Sequence, residues 1–127
     1  MQRLLWVCVG GAFGSGARYL MSGWVQDRLG AGFAWGTLSV NVLGSFLISF
    51  IMQLALSTGS VSPLVRITLT TGVVGGFTTY SAFNYETFGY IQDKAWFLAG
   101  ANILATWAAC LVAGFLGHWS ARWIAGG

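Results

Sequence analysis

The sequence predicts an all-α membrane protein of four transmembrane helices, and three observations carry that prediction. Hydrophobic residues make up 56% of the chain and charged ones only 7%, where an ordinary soluble domain is about 25% charged. The apolar residues fall into four long runs with short polar connections between them, and mean hydropathy is +0.70. Trp6, Trp24, Trp35, Trp96, Trp119 and Trp123 all lie near the ends of those runs, where an interfacial aromatic belt belongs. A crossing needs roughly 20 apolar residues. The 127 residues therefore accommodate spans at roughly 4–25, 33–56, 64–91 and 96–119 as one transmembrane unit, with no soluble domain expected.

The first span, 4–25, follows Arg3. A cation before an apolar run also opens a signal peptide, but this run continues past signal-peptide length. Gly10, Gly14 and Arg18 recur every four residues and so share a helix face. The two glycines make a small-xxx-small strip for close helix approach. Arg18 on that face needs a partner or a water-filled vestibule; the alternative is snorkelling to the nearer surface. In the second span, 33–56, Thr37, Asn41, Ser45, Ser49 and Gln53 repeat every four residues, giving a polar face that must meet protein or water. Asn41 reads either as an interhelical hydrogen bond or as part of an ion path.

The third span, 64–91, begins just after the only proline, Pro63, and contains the unusual stretch TLTTGVVGGFTTYSAFNYE from Thr68 to Glu86. Glycine inside a membrane helix permits close packing or a break that frees backbone carbonyls, tolerated only where they face protein or a cavity. The adjacent Gly75 and Gly76, followed by Thr78 and Thr79, predict a break near the middle of this span. Beyond it Phe77, Tyr80 and Phe83 recur every three residues beside Ser81 and near Glu86. Such a stripe serves core packing, or, because ring edges carry partial positive charge, holds a small anion. In the fourth span, 96–119, Ala101, Ala105, Ala109 and Ala113, continued by Gly117, form a packing strip, and Asn102 is the one strongly polar interior residue.

The six cations, Arg3, Arg18, Arg28, Arg66, Lys94 and Arg122, give a net charge of +3 with no two adjacent and no basic helix face. No nucleic-acid partner is expected, since that requires clustered cations tracking phosphates. Cys8 and Cys110 lie in apolar segments without CxxC or Cys/His spacing and read as packing residues. His118, at the end of the fourth span, reads as a surface histidine, because no second ligand is spaced for a metal. A catalytic His/Asp/Ser set, paired acids and a nucleotide-binding glycine loop are all missing, so no enzyme is expected. Four spans place Arg3, Arg66 and Arg122 on one side and Arg28 and Lys94 on the other. So slight a positive-inside bias predicts insertion in both orientations and an antiparallel, dual-topology homodimer.

The stretch GGFTTYSAF resembles the signature Gly-Gly-x-Thr-Thr-Phe-Ser-x-Phe of the small four-helix fluoride channels of microorganisms, the Fluc (CrcB) family. The resemblance extends to Arg18-Tyr19 in the glycine-rich first span, to the run Asn41-Val42-Leu43-Gly44, and to overall length. It implies a passive fluoride-selective channel in the bacterial inner membrane, formed by two antiparallel copies with two pores, and exporting fluoride. By match to the motif, Asn41, Tyr80, Ser81 and Phe83 would line the fluoride pathway, with Arg18 at a vestibule. The backbone carbonyls of Gly75 and Thr78 would hold a structural sodium ion on the dimer axis, with no organic cofactor. Two positions depart from the pattern: Tyr80 stands where phenylalanine is usual, adding a donor, and Ala82 where a hydroxyl is usual, removing one from the polar track. Ala82, Glu86 and Asn102 complete the polar-track and vestibule candidates.

Fluoride is small and strongly hydrated, so a pore must replace its water with donors, which this span's Thr, Ser and Tyr hydroxyls and ring edges supply. Two alternatives stay open. A small proton-coupled multidrug exporter would use Glu86 as its coupling carboxylate, although exporters of that kind carry the essential glutamate in the first span, which has none here. A non-transporting helical scaffold would make Arg18, Asn41 and the polar third span packing groups.

Overall fold

The computed structural model describes residues 1–127, whose regular secondary structure is all helical, with no strand. Helix α1 spans Gln2–Leu29 and α2 spans Trp35–Thr58. The third segment is composite: α3 (Pro63–Ile67), a π-helical stretch (Thr68–Val74), the short α4 (Gly75–Phe77) and α5 (Tyr80–Gln92). Helix α6 (Trp96–Ile124) ends the chain. Of these, α2 and α6 are each long and apolar enough to cross a bilayer. The all-helical class read from composition is what the structure has.

Local chemistry sets the element ends. The Gln26 side chain holds the α1–α2 corner at three points: Nε2 donates to the carbonyls of Gly30 (2.5 Å) and Phe33 (2.8 Å), and Oε1 accepts the Gly36 N–H at 3.1 Å. Ser62 caps α3 by accepting the Val65 N–H at 3.2 Å, with Pro63 at the first helical position, where its missing N–H costs nothing. The α5–α6 turn closes with the Ala95 N–H on the Tyr90 carbonyl at 2.8 Å. Its Lys94, at φ 57°, is the only non-glycine residue in left-handed backbone. That conformation costs an L-residue roughly 1–2 kcal/mol and is the usual place for glycine after a helix. Lys94→Gly is expected to raise stability by about 1 kcal/mol, read as a higher unfolding midpoint in detergent micelles.

Glycines set how closely α1 meets the third segment. A Cβ on Gly10 would lie 2.7 Å from the Thr68 carbonyl oxygen, and one on Gly76 would lie 2.6 Å from that of Gly11. Backbone touches backbone along this seam, as the Gly10/Gly14 strip predicts. It also narrows the predicted break to Thr78 and Thr79, within the expected stretch, and away from the glycine pair. Gly75 is helical, at φ −61° and ψ −38°, and Gly76 belongs to the same helical turn. The chain leaves the helix at Thr78 (φ −81°, ψ 160°) and Thr79 (φ −151°, ψ 113°). Gly76, with Gly72, is spent on contact with α1, so of the two uses open to glycine in a membrane helix, packing prevails there. In this segment Thr68, Thr70 and Thr78 donate their hydroxyls to the carbonyls of Leu64, Arg66 and Val74, at 2.8, 2.8 and 3.2 Å. These back-bonds consume hydroxyls that would otherwise be orphaned in an apolar setting.

Candidate functional site

The site begins at the two-residue break. Asn41 of α2 meets Thr79 through a reciprocal pair: its Nδ2 donates to the Thr79 carbonyl at 3.0 Å, and its Oδ1 accepts the Thr79 N–H at 2.8 Å. The side-chain amide thus stands in for a missing backbone partner, and both residues are buried. Thr79 Oγ1 accepts the Ala82 N–H at 3.2 Å, capping α5, and lies 3.3 Å from Ser81 Oγ. An unbroken α-helix would direct the Thr79 N–H to the Gly75 carbonyl and the Ala82 N–H to the Thr78 carbonyl. Here both N–H groups go to side chains, so these two carbonyls lose their helical donors.

A groove of about 650 Å³ opens beside the break, between α2, the third segment and α6. Asn41, Ser45, Thr79, Tyr80, Phe83 and Thr106 line it, and Gly75 and Thr78 border it. Phe83 is buried, whereas Tyr80 is 74% exposed; their ring centroids are 5.6 Å apart at an interplanar angle of 58°. The groove continues past Ser45 and Cys110 into a second cavity of about 530 Å³, lined by Ser49, Gly114 and His118 among others.

The structure therefore gathers Asn41, Tyr80, Phe83, Gly75 and Thr78 at one groove, with Ser81 joined to it through Thr79. Other sequence candidates lie elsewhere. Glu86 Oε1 accepts the Thr37 hydroxyl at 2.5 Å, while its Oε2 is buried with no partner. Asn102 Nδ2 donates to Thr87 Oγ1 at 2.9 Å, and Thr87 donates to the Phe83 carbonyl at 2.7 Å. Asn102 thus braces α5 behind Phe83 and does not line the groove. Ala82 enters the site only through its N–H. Arg18 is half-buried, with its Nε buried and unpartnered.

Thr106 lines the groove with no role expected from sequence, and Thr79, Cys110 and His118, expected at the break, in packing and at the surface, line it or its continuation as well. A signal existed for three of them: Asn102, Thr106, Cys110, Gly114 and His118 recur every four residues along α6. His118, expected at the surface, is half-buried in the cavity wall. No group of three His, Cys, Asp or Glu side chains comes together to hold a metal.

Residues 5–118 match the family described as "CrcB-like protein, Camphor Resistance (CrcB)". The chain belongs to the CrcB family. It is 52% identical over 122 residues to a protein of Sorangium cellulosum named fluoride-specific ion channel FluC, covering 96% of each chain. It is 52% identical over 126 residues to the protein of that name from Anaeromyxobacter sp. (strain K), covering 99% of this chain and 100% of that one. The Geobacter sulfurreducens protein of the same name is 48% identical over 122 residues, 96% and 98% of the two chains. CrcB proteins are membrane ion channels and not enzymes.

Proposed function

We propose that this chain is a passive, fluoride-selective channel of the bacterial inner membrane, built from two antiparallel copies with two pores. The observation that carries the reading is the Asn41–Thr79 pair, which fixes a helix break beside a groove where amide, hydroxyl and ring-edge donors converge. An amide nitrogen has two protons. Asn41 spends one on the Thr79 carbonyl, so the other is available to an anion. With the Tyr80 hydroxyl and the Phe83 ring edge it replaces part of fluoride's hydration shell without a formal cation, and a narrow track closed by the second copy would exclude chloride by size.

Four crossings, by α1, α2, the third segment and α6, suit the chain's length. Ser81 and Asn84 are exposed on α5, and polar groups at that depth call for protein or water; a second copy supplies both a cover and an aqueous vestibule, with Arg18 at its wall. The Gly75 and Thr78 carbonyls suit a hard alkali cation, which takes oxygen ligands and is commonly held by unwound backbone. Sodium bound there would neutralise the carbonyl lone pairs that the break exposes. Glu86, tied to Thr37 outside the groove, favours passive flux over proton-coupled export.

The test is fluoride release from liposomes, followed with an ion-selective electrode and with chloride as the control. Fluoride is expected to leave and chloride to stay. Release only after Tyr80→Phe with Ala82→Thr would locate a conduction defect at those positions; no release from either protein would sink the channel reading.

A further inference from the structure

The groove does not end at the aromatic pair. Its second cavity shares Ser45, Ile48, Cys110 and Leu111 with the first, and His118 closes its far end, toward the C terminus of α6. No Asp, Glu, Lys or Arg lines either cavity. Among the lining side chains, His118 alone can become a cation. A protonated imidazole is a cation, and a single charge in a low-dielectric cleft focuses the field on small ions of opposite sign.

We propose that His118 is the anion-capturing residue at the mouth of the groove, drawing fluoride in from the aqueous face that the C terminus of α6 meets. This rests on the channel reading above and adds a residue and a regulation to it. Its surroundings leave the charge uncompensated. Helix α2, packed along α6, carries no ionisable side chain anywhere from Trp35 to Thr58. The ionisable groups of α5, namely Tyr80, Tyr85, Glu86 and Tyr90, belong to the segment that meets the N-terminal half of α6. On α6 itself, Cys110 lies two turns back, and Arg122, one turn on, stacks its guanidinium over Trp119 with 5.4 Å to the ring centroid. Arg122 is exposed and lines neither cavity. The His118 ring itself stands edge-on to Trp119, with 6.4 Å between centroids.

The experiment is fluoride release from liposomes at low ionic strength, comparing the natural chain with His118→Lys, His118→Gln and His118→Glu at pH 7.5 and 5.5. Protein-free liposomes subtract passage of the protonated acid. Arg3→Gln, which removes a cation outside the groove, controls for surface charge. At pH 7.5 the lysine variant is expected to release fluoride fastest and the glutamate variant slowest, by roughly threefold to tenfold, narrowing as salt is added. Any acceleration of the natural chain from pH 7.5 to 5.5 that His118 causes is expected to be absent from His118→Gln. Equal rates for the lysine and glutamate variants, or an equal spread from Arg3→Gln, would overturn the proposal while leaving the channel reading intact. Absence of release from every protein would overturn both.

Discussion

Asn41→Leu is expected to destabilise the protein by about 2–6 kcal/mol and to abolish fluoride release. The leucine keeps the side-chain volume but removes both partners of a residue that is only 9% exposed, Thr79. Leaving a buried N–H or C=O unpaired costs roughly 1–3 kcal/mol each, and here both are stranded together. Asn41→Asp retains an acceptor for the Thr79 N–H but, when ionised, sets a buried carboxylate against the Thr79 carbonyl, so it should not restore the natural stability. Unfolding midpoints in detergent measure the stability and a fluoride electrode the flux. A loss below about 1 kcal/mol for the leucine variant would mean that water takes over the bonds and that Asn41 does not hold the break.

The second large effect is steric. Gly14→Ala would drive its Cβ into the Val73 carbonyl and within 3.0 Å of the Phe77 nitrogen. Those atoms are backbone in a helix clamped from the other side, so no side chain can swing aside and α1 must move away. Overpacking of this kind costs about 1–3 kcal/mol, and lost packing along the rest of the seam adds to it. Gly16→Ala, two residues on, meets nothing within 4 Å and should be neutral or stabilising by up to about 1 kcal/mol, alanine being the better helix former. The same unfolding assay compares the pair; similar losses from both would mean that α1 tolerates displacement.

How much of this was legible depended on the distance over which each contact acts. Composition and the four apolar runs disclose an all-helical membrane chain, because burial in lipid is a property of whole segments. The Gly10/Gly14 strip was readable because helix periodicity alone places both residues on one face. The break was legible as a stretch from the glycine pair to Thr79, but not which of its residues carry it, because a glycine pair permits bending and close contact alike. The choice between them is made by Gly11 on another helix. Thr79, named with the break, could not be singled out as its joint because its partner is 38 residues away. On α6, the polar series from Asn102 to His118 has the same four-residue step as the alanine series from Ala101, one position over. The alanines drew attention to packing and hid the groove wall beside them.

The manner in which α5 is fastened has a mechanical consequence. Its polar ties run to α2, from Glu86 to Thr37, and to α6, from Thr87 to Asn102, while Asn41 holds its N-cap Thr79; it makes no contact with α1. The first half of the same segment is seated on α1 through the glycine seam. The third segment is therefore two levers on separate mounts, joined by Thr78 and Thr79, and α2 is the one helix that touches both. A push on α1 reaches the aromatic pair only through α2 or that joint, which makes Asn41 the rivet at which the two levers are held in register.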